Sequence, residues 1–233
     1  MAITFTQLAV GTASTANQST AYNGTAGTPA AGDLLIAFIV VSGNTTIGTL
    51  TGGGFTWNVL TSAAISTTHF CSIWWAAAPT ATSTTLSYLP AASATGCILY
   101  GVRVTGARSQ TSATVGQALE QAAVTATGTT AAEAVTFGAN TTVGNGVLVF
   151  GANSTNSTTQ WTAPTGFTEF TELSYNTPAT SGEVARLATV ITPATTYTYT
   201  NANTTAWRTF GVEFAAAVGT SFDPMGMMGF FGM

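Results

Sequence analysis

The chain says the same thing twice. Gly32 and the apolar run to Phe38 match Gly144 and Val147-Leu148-Val149-Phe150 at an offset of 112 residues. Gly54-Phe55-Thr56 matches Gly166-Phe167-Thr168 at the same offset, and Pro79-Thr-Ala-Thr matches Pro193-Ala-Thr-Thr at 114. Tyr100-Gly-Val-Arg-Val matches Phe210-Gly-Val-Glu-Phe at 110. Each anchor alone is weak in a chain so rich in Gly, Thr and Val. Four anchors in the same order, with offsets within four residues, define a repeat. The period is too long for a solenoid unit, so it marks a duplicated half.

The pattern inside each half is that of strands. Leu34 to Val41 is apolar at every position, as in a strand buried on both faces. Ile98, Tyr100, Val102 and Val104 alternate, as do Leu86 and Tyr88, and Tyr197 and Tyr199. Gly, Pro, Asn and Ser clusters separate these runs. The fold expected is an all-β, antiparallel, jelly-roll-like sandwich built from two sequence-related halves, about 20–106 and 132–216, with a linker at 107–131. One sandwich shared by both halves about a pseudo-twofold, or two small sandwiches in tandem, would each satisfy the pattern. Gln117 to Val124 is the one stretch with helix propensity, and it is too short for an independent helix.

Chemistry is sparse. Charged residues make up 5% of the 233, against about 25% in ordinary soluble domains. The net charge is −4, with no lysine and no basic cluster, which argues against a phosphate-neutralising nucleic-acid surface. No apolar run reaches the roughly 18 residues of a membrane-spanning helix. The N-terminal stretch MAITFTQLAVGTAS lacks a basic region and a long apolar core, so it does not read as a secretory signal. Cys71 and Cys97 read as buried reduced thiols, with a bridge open only to an exported chain.

His69 is the single histidine, so a zinc site would need it with Cys71 and Cys97, at a spacing that fits no zinc pattern. It reads as a strand residue at a surface or interface. Glu169 and Glu172 lie three apart, which in a regular strand points them to opposite faces and denies them a glycosidase geometry. Glu183 with Arg186, and Glu213 with Arg208, read as surface pairs. No nucleophile elbow or phosphate loop occurs, so no catalytic, cofactor or metal residues are assigned. Trp74, Trp161 and Trp207 are candidates for stacking on a glycan, set against the commoner role of aromatics in cores.

The composition changes at 218–233, VGTSFDPMGMMGFFGM. Its apolar residues Phe222, Met225, Met227, Met228, Phe230, Phe231 and Met233 suit docking on a partner, because methionine adapts to irregular surfaces.

The motifs GDLLIAF (32–38), GFTW and GFTE, an apolar strand ending in Ala77-Ala78-Pro79, a Thr-rich hairpin and YGVRVTGA (100–107) together cover about residues 20–216. In these the chain resembles duplicated β-sandwich modules of tailed-bacteriophage virion proteins, a type that also occurs in some bacterial surface proteins. The resemblance implies a non-enzymatic structural protein of a virion. The expected form is a capsid decoration or cement protein, held partly by its C-terminal tail and present in symmetric copies beside a major capsid or tail protein. Assembly in the bacterial cytoplasm goes with this reading. The alternative is a tail-fibre or adhesin-type protein that binds a host-surface glycan.

Overall fold

The computed structural model describes residues 2–18, 20–78, 80–108, 117–154, 161–176, 179–201 and 206–217, with the side chains of 12–18 and 176 excepted. Among them are sixteen strands. The first eight are β1 (Thr4–Gln18), β2 (Tyr22–Gly27), β3 (Leu34–Ser42), β4 (Thr49–Thr51), β5 (Asn58–Ala64), β6 (His69–Ala77), β7 (Thr84–Leu89) and β8 (Ala94–Thr105). The second eight are β9 (Val124–Gly128), β10 (Ala132–Thr136), β11 (Gly146–Asn153), β12 (Trp161–Thr162), β13 (Thr168–Asn176), β14 (Ala179–Leu187), β15 (Thr196–Asn201) and β16 (Trp207–Phe214).

Each half makes a five-stranded and a three-stranded antiparallel sheet. The orders are β1-β8-β3-β6-β5 with β2-β7-β4, and β9-β16-β11-β14-β13 with β10-β15-β12. Adding eight to every label of the first half gives the second. Each half is therefore an eight-stranded jelly-roll sandwich of its own, and the fold is all-β as the alternation requires. The ladders carry the repeat: Phe38 pairs with Tyr100, and Phe150 with Phe210. Both halves also carry a β-bulge at the third residue of an edge strand, Leu60 in β5 and Phe170 in β13.

The repeat starts one strand earlier than the sequence anchors place it. β9 lies inside the expected linker and is the counterpart of β1. The Gln117–Val124 segment is not helical. Leu119 bridges to Phe214, the Glu120 amide donates to the Glu213 carbonyl, and the Ala215 amide donates to the Ala118 carbonyl. Its backbone groups are taken up by the end of β16, an outcome that a helix of two turns cannot outcompete.

The central strands of both five-stranded sheets are buried on both faces, giving four layers. Leu35, Ala37, Ile39 and Val41 face the three-stranded sheet of the first half, with Leu86, Tyr88 and Trp74. Leu34, Ile36, Phe38 and Val40 face the other half, with Leu148, Phe150, Phe210, Val212 and Phe214. Val147, Val149, Tyr197 and Tyr199 fill the second sandwich. All nine residues of β3 and all eight of β11 are buried, which is why both read as unbroken apolar runs.

Phe38 and its repeat-mate Phe150 stack on each other, centroids 4.9 Å apart, at the centre of the interface. β1 lies over β13, the counterpart of β5, so the strand orders run oppositely across the interface, as a pseudo-twofold requires. Hydrogen bonds rim the contact: Ser42 to Tyr175 (2.7 Å), His69 to Thr180 (3.0 Å) and the Arg208 Nε to the Ala64 carbonyl (3.1 Å). The Tyr100 hydroxyl donates to the Gly182 carbonyl, and Arg186 donates to the Phe5 carbonyl.

The cysteines cannot bridge. Cys71 pairs with Val40 and Cys97 with Val41, consecutive residues of β3, so the thiols lie on opposite faces of one sheet. Both are free and buried, and burial pushes both thiols well up. A thiol titration should find two reactive groups per chain in denaturant and none in the folded protein. A thiol that reacts in the folded protein, or a missing one in denaturant, would contradict this placement.

Candidate functional site

A groove opens among the loops at one end of the second sandwich. The β10–β11, β12–β13 and β14–β15 connections meet there, beside the end of β16. Asn145 ties the β10–β11 and β14–β15 connections to the end of β16. Its carbonyl accepts from the Val190 amide (2.7 Å), its side chain donates to Glu213 (2.9 Å), and its Oδ1 accepts from the Ala216 amide (3.0 Å). The Thr142 amide also donates to Glu213 (2.7 Å), as does Gln121. Gly144, at φ 89°, supplies the left-handed turn that brings its amide to the Val190 carbonyl (3.0 Å).

Between the β12–β13 and β14–β15 connections runs the groove, of about 320 Å³, lined by Thr165, Gly166, Leu187, Thr189, Ile191, Thr192 and Tyr197. It adjoins a second of about 390 Å³ over Pro164, Ala194, Thr196 and Thr198. These are the sizes of clefts that take ligands. Phe167 sits edge-on to Tyr197 at 4.9 Å. By ladder register Phe167 stands where the first half has Trp57, since Thr168 opposite Arg186 corresponds to Asn58 opposite Trp75. The turn anchor GFT is thus offset by two residues from the strands it leads into. The larger Trp57 indole is buried and bonded to the Gly52 carbonyl (3.3 Å) in the first half. A phenyl ring at the same place fills less of the sandwich end.

No charged side chain lines the groove. Its one titratable group, Tyr197, is bonded to Thr141 (2.6 Å) and pushed up chiefly by burial. Such a surface binds by shape, apolar contact and neutral hydrogen bonds.

Two carboxyls lie deeper in the same sandwich. Glu133 pairs with Tyr199 across β10–β15, and Glu183 pairs with Gly151 across β14–β11. Both are fully buried, and neither carboxyl has a hydrogen-bond partner. Burial pushes Glu133 up to about 9. Burial, then Glu169 and Glu172, push Glu183 up to about 8. At neutral pH both are uncharged acids. Sealed between two sheets, they act on the stability of the sandwich rather than on a substrate.

Several expectations change here. Glu183 does not pair with Arg186, which faces the other side of the sheet and lies 4.7 Å over the Phe170 ring. Glu213 is buried and held by Asn145 and Thr142, while Arg208 reaches Ala64. Ion pairs among the described residues are Arg103–Asp33 (2.7 Å) and Arg108–Glu120 (3.2 Å). Glu169 and Glu172 share a face after all. They oppose Ala185 and Glu183, two apart on β14, because the bulge at Phe170 adds one residue to the alternation.

His69 is buried between the halves, with Nδ1 against the hydroxyls of Ser66 (3.2 Å) and Thr68 (3.0 Å). Burial pushes its pKa down, and a hydrogen bond from the ring to the Ala179 backbone opposes that. With Cys71 and Cys97 on opposite faces, the three cannot converge on a metal. The described residues contain no group of three or more His, Cys, Asp or Glu able to hold one.

Trp74, Trp161 and Trp207 are core residues, each 5–6% exposed. Their indole nitrogens donate to Ser72 (2.8 Å), Ser181 (3.0 Å) and the Thr130 carbonyl (2.9 Å). Stacking on a sugar needs an open ring face, and none of the three has one. Phe222, Met225, Met227, Met228, Phe230, Phe231 and Met233 lie outside the described residues.

The groove and the two buried acids had little signal in the sequence. The inward line Glu133-x-Val135-x-Phe137 does place a carboxyl where an apolar side chain belongs. Comparison with known proteins finds no matching protein family, no matching curated protein and no matching solved structure.

Proposed function

We propose that this protein is a non-enzymatic structural component of a bacteriophage particle, a capsid decoration or cement protein anchored partly by residues 218–233. The observation that carries this reading is the pair of jelly rolls joined through their five-stranded sheets. Jelly rolls are a recurrent solution for viral shells, because a closed double sheet gives a rigid block with few free strand edges. The scarcity of charge supports it too, since a nearly neutral Thr- and Ala-rich surface suits fixed packing among neighbours. The partners would be a major capsid or tail protein and symmetric copies of this chain.

The anchoring role is tested by removing residues 218–233. All the described core side chains lie between Ile3 and Ala216, so the shortened chain should keep its fold and its cooperative unfolding. Its binding to particles stripped of the protein should fall at least about tenfold, the equivalent of 1.4 kcal/mol. Undiminished binding by a folded, shortened chain would overturn the anchoring role.

A further inference from the structure

We infer that, in the free protein, residues 218–233 dock in cis into the groove at the loop end of the second sandwich. The groove is open, and its lining is uncharged. Ile191, 82% exposed, lines it, and Val143, 62% exposed, stands on the neighbouring loop, which the Gly144–Val190 hydrogen bond joins to that of Ile191. They are the two most exposed large apolar side chains among the described residues. Leu187 and Tyr197 form the floor, and no charged side chain interrupts it.

The end of the described chain lies close by. The Ala216 amide is bonded to Asn145 Oδ1, and the Ala217 amide to the Gly106 carbonyl (2.8 Å). Asn145 is also the residue whose carbonyl holds Val190, next to Ile191. The described chain therefore ends beside the groove, and sixteen residues follow. In those sixteen the one charged side chain is Asp223, against about four expected for an ordinary soluble segment. Seven are Met or Phe. Methionine fills irregular apolar clefts, and Gly226, Gly229 and Gly232 let the backbone follow them. A short tether gives the segment an effective concentration of order millimolar at the groove, which favours its own chain over a neighbour.

This inference concerns the free chain and does not rest on the virion reading. Oxidation of methionine by dilute peroxide, read residue by residue by mass spectrometry, tests it. Met225, Met227, Met228 and Met233 in the intact protein are compared with a free peptide of residues 218–233. Docking should slow their oxidation about tenfold, the reading for a segment undocked one-tenth of the time. Ile191→Asp should restore the peptide's rate, and the exposed side chain at 191 can be changed without touching the core. Leu89→Asp, at an exposed position in the first sandwich, should leave the protection intact. Peptide-like rates in the intact protein, or protection indifferent to Ile191→Asp, would overturn the docking. Protection that fades on dilution would place the segment in the groove of a second copy and overturn docking in cis.

Discussion

Between pH 5 and pH 8 the protein should lose stability as the solution becomes more alkaline, by about 1.4 kcal/mol per pH unit for each of Glu133 and Glu183. Their folded values are raised to about 9 and about 8, from 4.5. Across that window the folded chain holds a proton on each carboxyl that the unfolded chain has released. The stabilising contribution is complete below 4.5 and is lost as the pH rises through the folded values. His69 works in the opposite sense. Burial holds it below 6.5, so its contribution is full above 6.5 and is lost as the pH falls through its folded value. Denaturant unfolding across this range should show the alkaline decline in the wild type. Glu133→Gln and Glu183→Gln should each remove one proton's worth of slope and be more stable than the wild type at pH 8. Profiles for the variants that run parallel to the wild type would mean that the carboxyls are not buried uncharged.

Phe150→Ala should cost about 3–5 kcal/mol. The ring is fully buried and touches both halves: Phe38 at 4.9 Å and Tyr100 at 5.8 Å across the interface, and Phe210 at 6.1 Å within its own sheet. Rigid sheets on both sides prevent collapse into the void, which puts the cost toward the upper end of the range. The two sandwiches share the central core, so the loss should shift a single thermal transition, by about 2–4 °C per kcal/mol for a chain of this size. A loss below about 1 kcal/mol would contradict the central packing. So would a second transition left at the wild-type temperature.

What the sequence made legible followed from periodicity. Leu34 to Val41 is apolar at both parities, and that is enough to say that β3 is covered on both faces. It does not say by what. One parity meets the three-stranded sheet and the other meets the second half, and the two choices look alike in a list of residues. β9 was missed because Val124 to Gly128 lies at a sheet edge, where half-exposed Thr and Ala carry little alternation. The bulge at Phe170 inserts a residue without any composition cue, and it alone reverses the reading of Glu169 and Glu172. Glu133 and Glu183 escaped because glutamate is a surface residue almost everywhere. The tryptophans were visible, but which face each ring takes depends on the pairing register. The groove arises where two separate connections meet over β15, so nothing local announces it.

Mass spectrometry of purified phage particles, separated into capsid and tail fractions and quantified for copy number, tests the functional account most directly. The account predicts this chain in the capsid fraction at a copy number that follows the symmetry of the shell. Its absence from the particles, or its presence only as a few copies in the tail fraction, would contradict a decoration or cement role.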